Sequence, residues 1–194
     1  MKKNVVAILL VLCICFCMCA CNDADLDDRN NKVHTNSNST QDDEDPNGFA
    51  SKEELVDAYL TAFYFRVVSM EEARKFYPEA LWKYLSRETP NCFDLFYEQC
   101  KNSATNSIES MKRRFGDDYT VTWEIVSVED KTQYDYDYTE EERQECMDMF
   151  GVKPEDNYMY EITVSITGSG SKGEYTNPGE TVHARKIGNK WYAY

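Results

Sequence analysis

A strict alternation of side chains near the end of the chain constrains its fold most. Tyr158, Tyr160, Ile162, Val164 and Ile166 are separated by single residues that are mostly polar. Successive side chains of a β-strand point to opposite faces, so a period of two predicts a strand with one buried face. The end of the chain is therefore expected to form part of a sheet.

Other segments of the second half also carry strand signals. Residues 119–128 are rich in β-branched and aromatic side chains, which favour strands. Residues 181–187 and 190–194 flank Gly188-Asn189, a two-residue signal for a hairpin turn. The sequence therefore predicts one strand at 119–128 and a later run of three or four antiparallel strands.

Helix signals dominate the first half of this region. Ser51, Ser69 and Thr139 each stand three residues before a Glu, the capping-box arrangement that satisfies free N–H groups at a helix start. After Ser51, apolar residues recur at helical spacing as far as Val67. The cap at Thr139 predicts a helix that lies between two strands and ends at Gly151.

Three further helices are expected between Val67 and the first strand. The first starts at Met70, after the Ser69 cap, and ends near Tyr77-Pro78. A short one over residues 80–85 stops before Thr89-Pro90. A longer segment, 91–115, ends at Gly116. Its polar middle, 101–107, leaves open whether this helix is continuous or broken.

This order of elements predicts an α+β domain over residues 51–194, with N-terminal helices packed on one face of a curved antiparallel sheet. The opening run 55–63 (LVDAYLTAF) and the closing hairpin 184–192 (ARKIGNKWY) resemble the nuclear transport factor 2-like superfamily of cystatin-like, cone-shaped domains. The resemblance covers most of 51–194 and concerns the fold rather than the chemistry.

The N-terminus has the pattern of a secretory signal. Lys2 and Lys3 precede an apolar run that ends at Cys21. Residues 18–21 (MCAC) resemble the lipobox of bacterial lipoproteins, in which the cysteine is lipidated and becomes the new N-terminus. We therefore predict a signal peptide over 1–20 and a lipid anchor at Cys21. The alternative is an uncleaved membrane anchor, because the apolar run is about 17 residues long, the short end of what spans a bilayer.

Residues 21–50 are expected to be a lipidated, disordered tether that holds the domain on the extracytoplasmic face of the cell membrane. They are acidic and polar, with too little apolar surface to offset the entropy of ordering. The formal net charge of the whole chain is −14, and loss of Lys2 and Lys3 makes the mature chain more acidic. This charge excludes nucleic acid as a partner.

The cysteines leave two alternatives open. Five of the eight lie in or end the signal, and Cys92, Cys100 and Cys146 remain in the domain. If Cys92 and Cys100 share one helix, eight residues separate them by about 12 Å, too far for a disulfide. A disulfide would then involve Cys146. Three free thiols are favoured, because a domain of this size is stable without a disulfide.

Motifs with a chemical meaning are weak in this sequence. Residues 168–173 (GSGSKG) match the glycine spacing of dinucleotide-binding loops, but no helix signal follows them, so a hairpin loop is favoured. Residues 134–138 (YDYDY) predict an aromatic contact strip or, as the favoured alternative, a surface segment leading to Thr139. His34 and His183 are too few for a metal cluster. No cofactor, metal or catalytic group is implied.

Members of the resembled superfamily often enclose a cavity between the sheet and the first helix. By that resemblance Tyr59, Phe63, Trp82 and Trp123 are expected to line it; the alternative is that they fill the core. The favoured function is a non-enzymatic domain that binds a small molecule, a peptide or another envelope protein. The alternatives are a cavity-based enzyme of the isomerase or dehydratase type, and a homodimer formed through the exposed sheet face.

Overall fold

The computed structural model describes residues 45–134 and 136–194. The predicted signal peptide (1–20), the predicted lipidation site Cys21 and most of the predicted tether lie outside the described residues. The described part is α+β, with helices and an open four-stranded antiparallel sheet. The coarse fold class is therefore the predicted one.

The elements follow the predicted order. They are α1 (Lys52–Leu60), α2 (Met70–Arg74), α3 (Glu79–Ser86), α4 (Cys92–Phe115), β1 (Thr120–Asp130), α5 (Glu140–Phe150), β2 (Asn157–Gly170), β3 (Gly173–Ile187) and β4 (Lys190–Ala193). A π-helix, Thr61–Phe65, continues α1, and a 3-10 turn, Pro154–Asp156, precedes β2. The sheet order β1-β2-β3-β4 is a simple meander.

The first helix differs from the prediction in its second half. Ser51 caps α1 by accepting the Glu54 N–H at 3.1 Å. The sequence predicted an ordinary helix as far as Val67. From Thr61 the chain instead forms a π-helix, which is closed by the hydrogen bond from the Arg66 N–H to the Thr61 carbonyl (3.2 Å). This wider turn buries two adjacent residues, Ala62 and Phe63. The chain then becomes extended at Arg66.

Helix α4 is continuous through its polar middle. Ala104 is buried there and ties the segment to the rest of the domain. The Thr105 hydroxyl donates to the Lys101 carbonyl at 2.8 Å, so this side chain is satisfied within the helix rather than competing with it. The helix ends at Gly116, whose φ of 106° is the left-handed conformation that glycine tolerates.

The period of two in β2 separates its two faces as predicted. Ile162, Val164 and Ile166 are buried in the core. The opposite face carries hydroxyl side chains. The hydroxyl oxygens of Thr167 and Thr176, on adjacent strands, lie 2.8 Å apart. The hydrophobic core therefore lies between one face of the sheet and the N-terminal helices.

The fold includes residues that precede residue 51, where the sequence placed the domain boundary. Phe49 pairs with Trp191 on β4, and the Tyr192 hydroxyl donates to Asp45 Oδ2 at 3.1 Å. The Lys190 ammonium donates to the Asp45 carbonyl at 2.7 Å. Residues 45–50 thus cover the β4 edge of the sheet and belong to the fold.

Candidate functional site

The four aromatics predicted to line a cavity lie in different surroundings. Tyr59 and Phe63 are buried, with ring centroids 4.8 Å apart. Trp82 is buried on α3, and its ring centroid lies 4.9 Å from that of Phe93. Trp123 on β1 is half-buried, and its indole N–H donates to Asp57 Oδ1 at 3.4 Å. The burial of the first three agrees with the alternative that they fill the core.

A small cleft lies between the π-helix and α4. Its volume is about 10 Å³, roughly the space that one water molecule needs. Its lining residues are Ala62, Phe63, Val67, Val68, Tyr97, Cys100, Lys101 and Ala104. The Tyr97 hydroxyl donates to the Val68 carbonyl at 3.1 Å and holds the two sides together. A cleft of this size does not hold an organic ligand.

Large apolar side chains are exposed on either side of Val67, which lines this cleft. Phe65 is 42% exposed, Val67 38% and Met70 43%. We call these three residues the rim patch. Phe65 ends the π-helix, Val67 lies in the segment that follows it and Met70 begins α2, so the three exposed apolar side chains fall within a span of six residues.

Glu72 fixes the shape of the rim segment. Its carboxylate accepts hydrogen bonds from the Arg66 guanidinium, at 2.9 Å for one of them, and from the Ser69 N–H at 2.8 Å. The hydrogen bonds from Arg66, and then that from the Ser69 backbone, lower the pKa of Glu72 to about 2. The carboxylate therefore stays ionised at neutral pH, and the segment keeps its conformation.

Three polar residues are buried in the described part of the chain: Asn47, Glu180 and Arg185. The Asn47 carbonyl accepts from the Lys190 ammonium at 3.1 Å. Glu180 accepts from Asn177 Nδ2 at 3.0 Å. Arg185 differs because its close contacts are aromatic rings.

The sequence did not indicate the burial of Glu180. It pairs with Val164, which is buried in the core, next to a register shift in β2 and β3. Pro178-Gly179 is the local sign of such an irregularity. Asp57 and Glu124 are exposed.

The three thiols within the described residues do not form a reactive site. No disulfide joins Cys92, Cys100 and Cys146. Burial raises the pKa of Cys92 and of Cys146, so both are protonated at neutral pH and are poor nucleophiles. His183 instead faces Glu161, with Nδ1 3.8 Å from a carboxylate oxygen.

The glycine-rich run 168–173 forms a tight hairpin. β2 ends at Gly170 and β3 begins at Gly173, so a strand follows the loop instead of the helix that binds a pyrophosphate. The Lys172 N–H donates to the Phe115 carbonyl at 3.0 Å and joins the turn to the end of α4. The hairpin prediction is confirmed.

The tyrosine-rich segment is a surface connection to α5. The Tyr134 hydroxyl donates to Asp130 Oδ2 at 2.5 Å, and the Tyr136 hydroxyl donates to Glu142 Oε1 at 2.9 Å. Tyr136 and Tyr138 are in edge contact, with centroids 4.7 Å apart. Local carboxylates therefore engage two of these tyrosines.

In the part of the chain that the structure describes, no group of three or more His, Cys, Asp or Glu side chains is placed to hold a metal ion. Within the same residues, no helix is long and apolar enough to cross a membrane. The fold and surface define a small α+β domain with an apolar rim patch and one buried arginine. No protein-family model, curated protein or solved structure matches the chain.

Proposed function

We propose that this chain is a lipoprotein, tethered through Cys21 to the extracytoplasmic face of the cell membrane, whose folded domain binds a partner protein through the rim patch. The rim patch is the observation that carries the proposal. Exposed apolar side chains gathered in one region are typical of protein interaction sites. The adjoining cleft has a volume of about 10 Å³, which suits the tip of a partner's side chain rather than a free ligand.

The rim patch is also prepared for binding by its own hydrogen bonds. Arg66 and Ser69 are both held by Glu72, so less conformational entropy is lost when a partner docks. The chain carries a formal charge of −14. This charge favours a partner with a basic surface around the apolar contact.

We further infer that the domain is a cone of the nuclear transport factor 2-like type. The run 55–63 that resembles this superfamily lies on α1 and the π-helix, and 184–192 forms the hairpin of β3 and β4. In such cones a helix packs across a sheet. The packing of α1 residues such as Leu55 in the same core as Val182 supports the inference.

A photo-crosslinking residue at Phe65 tests the proposed binding surface. In cells producing the whole chain, we expect a discrete crosslinked protein product from this position. Val126 is the matched control, because it is 53% exposed on β1 and should give no such product. A product of twice the chain's mass would identify a second copy as the partner.

Substitution of the rim patch should weaken the same interaction. We expect Met70→Gln to reduce the yield of the crosslink from Phe65 by at least tenfold, as removal of an apolar interface anchor does. Equal crosslinking from Phe65 and Val126, or no effect of Met70→Gln, would contradict the proposed surface.

The lipid anchor is tested by the mass of the mature protein. We expect the wild-type chain to lack residues 1–20 and to carry a lipid at its first residue. The Cys21→Ala variant should retain Met1 and carry no lipid. Cys19→Ala is the matched control, since a small residue at this position of the lipobox resemblance should leave processing intact. Retention of Met1 in the wild-type chain would show an uncleaved anchor instead.

A further inference from the structure

Among the α-helices that the structure describes, α5 alone buries no residue. Helix α3 is shorter, yet it buries Leu81, Trp82 and Leu85. Docking matters most for short helices, because an isolated helix of fewer than about 12–15 residues is marginal in water. Since α5 has 11 residues, its helical structure depends on how firmly it is held by the rest of the domain.

The contacts that hold α5 come from half-buried side chains in its second half. Met149 and Phe150 pack against the hydrophobic core, and the Arg185 guanidinium carbon lies 4.0 Å from the centroid of the Phe150 ring. Cys146 Sγ accepts a hydrogen bond from Asn157 Nδ2 at 3.7 Å, and sulfur is a weak acceptor. The docking of α5 therefore rests on a few contacts near one end of the helix.

Ion pairs add little to this docking. Arg87 lies 3.8 Å from Asp148, and Arg143 pairs with Glu155, but these four side chains are between 34% and 61% exposed. Ion pairs at such positions are screened by solvent and contribute little. Five carboxylates against one arginine also give α5 a net charge of −4, in a chain whose formal charge is −14. The charge of the chain as a whole therefore opposes rather than favours the docking of α5.

Two polar groups are kept from water while α5 is docked. Asn157 Oδ1 is buried and has no hydrogen-bond partner within the described residues, and exchanging the oxygen and nitrogen of this amide would leave Nδ2 unmatched instead. Burial also lowers the pKa of Arg185 to about 10, because the charged form is less favourable away from water. Departure of α5 would let water reach both groups, so the docked state is opposed by their hydration.

The path of the chain lets α5 leave without breaking the sheet. Helix α5 lies in the connection between β1 and β2, and these strands are still paired at Asp130 and Tyr160. The Lys131 N–H donates to the Met159 carbonyl at 2.8 Å, directly after that pair. The connection therefore leaves the sheet beyond its last strand pair. At the other end of α5, Gly151 has a φ of 73°, and the conformational freedom of glycine allows the chain to move there.

We propose that α5, together with its caps Thr139 and Gly151, is a strap that opens from the end of the sheet while the rest of the domain stays folded. Weakly packed units of this kind open well before global unfolding. The open strap loses its helical structure, since it is too short to keep it alone, and it uncovers Asn157 and Arg185. The strap thus controls access to this end of the sheet. The rim patch belongs to the π-helix, the start of α2 and the segment between them, so the inference does not depend on the proposed partner binding.

Hydrogen exchange of the full-length chain in detergent, followed by mass spectrometry of its peptides, tests the opening. We expect the amides of residues 140–150 to exchange about 100-fold faster than those of residues 79–86. Helix α3 is the matched control, because it is shorter than α5 but buries three residues. In low urea, exchange in α5 should also rise less steeply with denaturant, because opening exposes less surface than global unfolding does. Equal exchange in the two helices would overturn the proposal.

Two variants should change the docking of the strap in opposite directions. Asn157→Leu replaces the unmatched amide by an apolar group of similar shape, so exchange in α5 should slow about tenfold. Phe150→Ala removes the ring that packs on the core, so exchange in α5 should rise about tenfold while that of residues 79–86 stays unchanged. Faster exchange of residues 79–86 in Phe150→Ala, or unchanged or faster exchange of α5 in Asn157→Leu, would overturn the proposal. If Phe150→Ala fails to fold, the direction of the change in Asn157→Leu still decides it.

Discussion

Replacement of Trp82 by alanine is expected to lower the free energy of unfolding by about 3–5 kcal/mol. The Trp82 side chain is 2% exposed, and its ring centroid lies 4.9 Å from that of Phe93 and 5.2 Å from that of Phe96. Its indole N–H also donates to the Arg74 carbonyl at 3.1 Å. The alanine variant would lose this packing and the hydrogen bond from the indole to the Arg74 carbonyl.

The same measurement decides between core packing and a cavity lining at this position. Urea denaturation of Trp82→Ala should be compared with that of Trp123→Ala. Because Trp123 is half-buried on β1, its replacement should lower the free energy of unfolding by about 1 kcal/mol. A loss below about 1 kcal/mol for Trp82→Ala would mean that its side chain borders empty space. That outcome would restore the cavity expected from the resemblance and, with it, the search for an enclosed ligand.

The elements that follow from local sequence were predictable. Ser69 and Thr139 form complete capping boxes with Glu72 and Glu142. A cap depends on residues three positions apart, so a single sequence reveals it. The alternation in β2 was equally local, since one buried face produces it directly.

The parts that the sequence did not reveal depend on contacts between distant segments. Phe49 is one large apolar residue in a polar stretch, and its pairing with Trp191 joins the two ends of the domain. The π-helix keeps the apolar spacing of an ordinary helix over most of its length, so the wider turn at Thr61–Phe65 gave no separate signal.

The burial of Arg185 shows the same limit most clearly. Val182 and Ala184 are buried on one face of β3, so alternation assigns Arg185 to the opposite face, where a charged residue is expected to meet solvent. Phe150 from α5 and Tyr194 from the chain's last residues cover it instead. No spacing within β3 predicts that covering, because it arises from elements far away in sequence.

The second large expected effect concerns Gly170, which lies in the glycine-rich run 168–173. A Cβ at Gly170 would lie 2.4 Å from the Phe115 carbonyl oxygen and 3.2 Å from the Tyr119 Cα. Both neighbours are backbone atoms, and the Phe115 carbonyl also accepts the Lys172 N–H at 3.0 Å. We therefore expect Gly170→Ala to lower the free energy of unfolding by about 3 kcal/mol.

Gly179→Ala is the matched control for this effect, because a Cβ at that strand position meets no atom within 4 Å. Its stability should stay within about 0.5 kcal/mol of wild type in the same denaturant titration. If Gly170→Ala were as mild as Gly179→Ala, the β2–β3 turn would not be packed on the end of α4. A large difference between the two variants would mean that position 170 requires glycine because other backbone atoms approach it closely, with no need for a bound phosphate.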